Sequence, residues 1–349
     1  MAFIGEGILG SEPRVLVIGG LREQWQSRNL RVEEKLGNGV EAWAYAFNGD
    51  YCGHDSATPA MIENYDLVIC NTNGVYERKY VRQYLPLAQN RPPRVKWVSL
   101  LEGNMTDYMT PSITVRELFD ASDVVNCINR FLTDALQTLT TSSVRYIGIP
   151  YPVNAVKRFR KPVDERQRRT YICPYLLSRW TDYAVAKQLG APYYGYEERL
   201  LRKWRTMKSN YSRFGTILNK DQRIENAAKI YNDPKLHIYP VTHVSRYYEQ
   251  NADAALWISM DNRYTWARYV LDAAALGIPI ITAPNTGHGE ILFPKTTVAN
   301  AFDIQQAVSV GKQLLNDREL YQSVIDYADS NLELYQPERI KNMLLQELG

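Results

Sequence analysis

Arg14-Val15-Leu16-Val17-Ile18-Gly19-Gly20 sets four consecutive aliphatic residues ahead of two glycines. A run this short, apolar at every position, is the form of a parallel strand buried on both faces, and terminal glycines let the chain turn into a loop. The form recurs. Residues 40–47, 65–71, 95–101, 124–127 and 144–149 read as further strands, with polar or helical sequence between them and a helix near 130–138. Strands alternating with helices build a doubly wound α/β lobe.

Residues 150–169 carry Pro150, Pro152 and Pro162 among many Lys and Arg, and read as a linker. The pattern then restarts, with strands expected at 170–173, 192–196, 236–239, 254–258 and 278–282. A helix over 266–276 stops at Gly277, with Pro279 just beyond, a regular C-terminal signal. Residues 317–348 are helical by pattern and placed to cross back to the first lobe. The expected fold is α/β, with two Rossmann-like lobes facing a cleft.

Composition agrees with an ordinary folded chain. Of 349 residues 45% are apolar and 23% charged, so the length can hold two domains and a cleft between them. The net charge of +3 is too mild to mark a nucleic-acid binder, yet it suits a phosphate-bearing ligand if the cations converge. Four cysteines, Cys52, Cys70, Cys127 and Cys173, show no C-x-x-C spacing, which suggests neither a zinc site nor a disulfide framework and fits a reducing, cytoplasmic setting. No stretch of about 18 apolar residues occurs, so integral membrane association is not expected. The 25 Tyr and 7 Trp are plentiful, and such rings either pack at lobe surfaces or line sites that hold sugars or bases.

Ligands of open parallel sheets bind beyond the carboxyl ends of the strands. There the first lobe offers Gly19 and Gly20, Asn71-Thr72-Asn73-Gly74, and Glu102-Gly103-Asn104. Gly19-Gly20-Leu21-Arg22 lacks the dinucleotide G-x-G-x-x-G spacing and serves as a phosphate or acceptor loop or as a simple turn. Glu102 ends a strongly apolar strand, where partial desolvation suits a carboxylate to general-base work; a surface ion pair is the alternative. In the second lobe Arg179 stands near a strand end and a helix start, fit for a diphosphate. Thr242 and His243 follow another strand, where backbone groups can read a nucleobase edge. Asp272 lies in an otherwise apolar helix, and an acid there needs a partner. Ribose hydroxyls are one; an i,i+4 pair with Arg268 is the other. Pro284-Asn285-Thr286-Gly287-His288-Gly289-Glu290 is a glycine-rich loop able to close over phosphate or sugar, with Gly287 and His288 as its candidates.

Asp272-Ala273-Ala274-Ala275-Leu276-Gly277-Ile278-Pro279-Ile280-Ile281 resembles the second lobe of GT-B glycosyltransferases, in which a helix acid precedes A-x-x-x-G-x-P-[IV]-[IV]. Residues 243–256 are similar to that family's lead-in to the donor site. The resemblance implies a nucleoside-diphosphate sugar, most simply a UDP-sugar, as co-substrate, with Asp272 on the ribose and Arg179 or Arg268 on the diphosphate. It implies an acceptor-side domain at 1–155, a nucleotide-sugar domain at 156–325 and a C-terminal helix at 326–349. Many retaining members carry a glutamate eight positions before the helix acid; this chain has Tyr264 there. A weaker resemblance, to phage DNA β-glucosyltransferases, gives Glu102 the place of their base and sets arginines near Arg179 and Arg268, the latter offset by one residue. No D-x-D triplet occurs, so cations rather than a metal are expected to take the leaving charge. The acceptor is a hydroxylated DNA base, a glycan or a small molecule. Basic stretches at 158–161 and 199–205 are DNA-contact candidates or solvated faces. A nucleotide-sugar epimerase and a non-catalytic sugar- or nucleic-acid-binding protein are the alternatives.

Overall fold

Two sheets form where the sequence runs apolar. The structure, a computed structural model, describes residues 12–20, 24–31, 35–36, 39–73, 78–109, 113–172, 180–196, 233–240 and 242–349. The first sheet contains β1 (Val15–Gly19), β2 (Trp25–Gln26), β3 (Asp50–Gly53), β4 (Leu67–Asn73), β5 (Lys96–Glu102), β6 (Val124–Asn126) and β7 (Ser143–Arg145). Its order is β2-β3-β1-β4-β5-β6-β7, parallel except for the two-residue edge strand β2. The second is parallel throughout: β8 (Gln167–Ile172), β9 (Tyr193–Tyr196), β10 (Leu236–Tyr239), β11 (Ala254–Ser259) and β12 (Ile280–Thr282), in the order β10-β9-β8-β11-β12. The order turns back at β1/β4 in one lobe and at β8/β11 in the other, and such switch points are where open sheets leave room for a ligand.

The sequence misplaces one strand. Residues 40–47 form the helix Glu41–Ala46, and the strand is instead β3. Ala42, Trp43, Ala44 and Ala46 are buried, a helical face whose three alanines favour helix over strand. Asn48, at φ 50°, and Gly49 then turn the chain into β3, and a Cβ on Gly49 would stand 2.6 Å from the Val15 carbonyl oxygen. The expected strand at 144–149 also shrinks, to β7, because Gly148 adopts φ +89°.

The linker is not a loose basic segment. It contains the helix Val153–Lys157, and its far end is β8 itself. Lys157 and Arg160 reach Asp329, both at 2.8 Å, Lys161 pairs with Asp253, and Arg166 donates to the carbonyls of Leu276 and Gly277. Lys157 and Arg160 thus fasten the linker to a C-terminal helix, while Lys161 and Arg166 hold it to the second lobe, which accounts for Arg160 and Lys161 better than either DNA contact or a solvated face.

The C-terminal region is broken into the helices Ile304–Asn316, Arg318–Asn331 and Pro337–Glu347. Asp303 and Asp317 accept at the first two N-termini and Pro337 opens the third, so each break has a local cause. The last helix packs against Glu41–Ala46 of the first lobe, aided by Arg145–Glu347 at 2.7 Å. Among the described residues no helix is long and apolar enough to cross a membrane. Cys52, Cys70 and Cys127 are buried; Cys173 lies outside the described residues.

Candidate active site

The first lobe gathers polar groups where β1, β3, β4 and β5 end. Gly19 is buried, and a Cβ there would meet Val40 at 2.6 Å; Gly20 is exposed and lies beside His54, whose ring stacks on Tyr80 at 4.3 Å. Glu102 closes β5 as expected. Asn71 Nδ2 donates to Glu102 Oε2 at 2.6 Å, which orients the carboxylate. A loop missed at the sequence level closes over the same group: Gly39 takes φ +75°, and its Cβ position lies 2.7 Å from Glu102 Oε1 and 3.5 Å from Glu41 Oε2. Burial pushes the Glu41 carboxyl up to about 7, with Glu102 raising it further and Arg268 opposing.

From the second lobe, the helix Arg268–Leu276 brings Arg268 and Asp272 to this face. Arg268 Nε stands 3.4 Å from Asp272 Oδ1, one helical turn away. Two hydroxyls donate to the acid, Tyr151 at 2.6 Å and Tyr248 at 3.0 Å, and Tyr247 also lowers its pKa by a hydrogen bond. Only 5% of the Asp272 side chain is exposed. Burial raises its pKa against the pull of Arg268 and the tyrosines. Burial tends to lower the Arg268 guanidinium, but Tyr248 and Asp272 more than offset that, and it stays cationic. Arg268 also bonds the Tyr248 hydroxyl and reaches across to the Leu36 carbonyl of the first lobe at 3.3 Å. The i,i+4 pair is therefore formed, and the ribose assignment for Asp272 requires a sugar hydroxyl to join or replace a tyrosine donor.

The lobes are pinned close to these groups. Met105 N donates to the Tyr264 carbonyl at 2.8 Å and Tyr264 N donates to Asn104 Oδ1 at 3.1 Å, while Asn129 donates to the carbonyls of Thr265 and Asn285. Trp266 lies over Gly148, where a Cβ would sit 2.6 Å from the indole. Ala267, at φ 48°, caps the helix, which starts at Arg268, two residues later than expected from the pattern.

The remaining candidates scatter. His288 is fully buried, bonds Tyr335 through Nδ1 at 2.9 Å and meets Trp266 edge-on at 4.3 Å, so it braces the loop from beneath. Burial drives its pKa down to about 3. Gly287, at φ +74°, faces Arg130, which pairs with Glu290 across the lobes. Thr242 is half-buried and His243 exposed, just before the helix Val244–Asn251. Arg179 and the basic stretch 199–205 lie outside the described residues. Glu41, Tyr151 and Tyr248 were not anticipated. No cluster of three metal-ligating side chains occurs among the described residues. A 660 Å³ cavity opens instead at the amino ends of β1 and β3, and its main charges are already paired, Arg14 with Asp66, Arg28 with Asp50 and Lys341 with Glu338.

No family model and no curated protein sequence matches the chain. Solved structures do. An α,α-trehalose 6-phosphate synthase from Burkholderia multivorans superposes with a TM-score of 0.67 at 9% identity, over 97% of this chain and 98% of that one. Anabaena HepE, solved with UDP-glucose, gives 0.63 at 10% identity over 96% and 99%. An α-glucosyltransferase solved with UDP and a 13-mer DNA gives 0.59 at 12% identity over 97% and 100%. At such low identity the likeness concerns architecture, and it extends over nearly the whole length. The chain thus has the GT-B fold, two Rossmann-like lobes on either side of a cleft.

Proposed function

We propose that the chain is a glycosyltransferase that moves a sugar from a UDP-sugar to an acceptor hydroxyl. The observation that carries this reading is that a fixed cation, Arg268 of the second lobe, which reaches the Leu36 carbonyl of the first, and an oriented carboxylate, Glu102 held by Asn71, both act on Glu41 and so face the same place between the lobes. Transfer needs these two things. Positive charge must meet the negative charge growing on the leaving diphosphate, and an acceptor must be held on the other side.

Arg268 takes the diphosphate, with Arg179 as a further cation and His243 as a further hydrogen-bonding group. Asp272 accepts from the ribose, exchanging a tyrosine hydroxyl for a sugar hydroxyl, and Thr242 sits at the base edge. Gly20 and Gly287 allow close backbone approach, Gly19 is packed against Val40 and Tyr51 beneath them, and His288 supports the loop from below. Glu102 orients the acceptor hydroxyl, and in a transfer with inversion it receives that proton. Arginine stands in for a metal, so transfer persists in EDTA. The acceptor is a hydroxylated DNA base, a glycan or a small molecule; proteins of similar fold were solved with DNA containing an HMU base and with Fondaparinux.

A thermal-shift panel of nucleoside diphosphates and their sugars tests the reading, because a ligand that binds only the native state raises the melting temperature. UDP and a UDP-sugar should raise it and other nucleotides should not. Release of free sugar from that donor, increased by DNA or glycan, would identify the acceptor class. Absence of any shift across the panel would overturn the proposal.

A further inference from the structure

We propose that Glu41 is a positioning residue of the reaction, paired with Glu102 across Gly39 and opposite Arg268, so that the two carboxyls share one proton and present one charge to the acceptor. This rests on the transfer reading above and deepens its acceptor side.

Three observations converge. The two carboxyls crowd one point, since oxygens of both lie within 3.5 Å of the place a Gly39 Cβ would occupy. Gly39 is what permits this approach: any side chain there would strike Glu102, and φ +75° disfavours one in any case. Close carboxyls cannot both ionise without cost, so one of the two keeps its proton. Second, among the described residues the charged groups that act on Glu41 are few. β5 supplies Glu102 and the helix Arg268–Leu276 supplies Arg268. Of the other elements packed on Glu41–Ala46, β1 is VLVIG and carries no charge, Asp50 of β3 is engaged by Arg28 and Tyr65, and Lys341 lies over Phe47 at the far end. Third, Asn71, only 4% exposed, spends its Nδ2 on Glu102 while its Oδ1 has no partner among the described residues. That carbonyl needs a donor, and an acceptor hydroxyl beside Glu102 provides one.

The test combines a structural and a functional readout on the full chain. With carboxyl-labelled glutamate, an NMR titration of the unliganded protein should show one carboxyl changing charge near pH 7, assigned to Glu41 by its loss in Glu41→Gln. Its midpoint should fall by a unit or more in Glu102→Gln. In the transfer assay Glu41→Gln, which keeps the neutral shape, should lose the rate transition near pH 7 that the wild type shows. A Glu41 midpoint near 4.5, or one unmoved by Glu102→Gln, would overturn the pairing. If the titration behaves as stated and no UDP-sugar is ever used, the transfer reading fails and the pair stands. If transfer occurs and the transition near pH 7 survives in Glu41→Gln, the positioning role fails alone.

Discussion

Replacing Asp272 by Ala removes the acceptor of two tyrosine hydroxyls and strands a guanidinium that is only 14% exposed. Deleting one partner of a buried pair costs roughly 3–5 kcal/mol, because the remaining charge is left without compensation. The tyrosine hydroxyls add to this, although Tyr248 keeps Arg268 as a neighbour, so about 4 kcal/mol is expected in total. Asp272→Asn keeps the shape and one acceptor oxygen and should cost about half as much. Urea unfolding at pH 7, followed by tryptophan fluorescence, reads both. A loss below about 1 kcal/mol in the alanine variant would refute the buried network. The asparagine variant then separates two roles. If Asp272 holds the ribose, the wild type should favour UDP over 2′-deoxy-UDP or 3′-deoxy-UDP by about tenfold, or ~1.4 kcal/mol, and Asp272→Asn should abolish the preference. A preference unchanged in the variant would leave the acid only the task of holding Arg268 and the tyrosines.

The other expectations concern pH and the contact between lobes. Glu41 titrates near 7 in the folded chain and near 4.3 when unfolded, so the native state binds more protons in that window and stability falls as pH rises through it. Glu41→Gln should therefore gain about 2 kcal/mol on the wild type at pH 8, after discounting for partial exposure, and nothing at pH 4 in parallel melts. His288 has the opposite sign. Its folded pKa of about 3 lies below the unfolded value, so stability is lost as pH falls from about 6.5 toward 3, and His288→Gln should flatten that acid limb in a denaturation series. Gly148→Ala places a methyl group against Trp266 at a positive φ and should cost about 3 kcal/mol; adding Trp266→Ala should recover part of that in a double-mutant cycle.

Much of the architecture was legible because burial on both faces leaves a plain mark. Strands such as β1, β5 and β11 are nearly unbroken apolar runs, and the helix over Asp272 ends at a glycine in the left-handed region, φ +67°, as its sequence requires. Residues 40–47 misled because alternating aromatics and alanines fit both periods, and tertiary packing on β1 and β3 chose the helix. Glu102 could be found from its place at a strand end. Its neighbour Glu41 could not, since the two are brought together by one glycine conformation and by the approach of Arg268 from the other lobe. Tyr151 meets Asp272 from 121 positions away, and no local pattern announces such a contact. His288 was legible as a polar residue in a loop but not as a buried one, because the ring packing of Trp266 and Tyr335 over it is a tertiary fact.

A crystal structure of the full chain soaked with UDP bears most directly on the account. UDP should lie between the lobes, its diphosphate on the Arg268 guanidinium and a ribose hydroxyl within hydrogen-bond distance of Asp272, with Glu102 and Asn71 facing the open side of the β-phosphate. UDP bound anywhere else, or density for the nucleotide at neither lobe under saturating concentration, would contradict it.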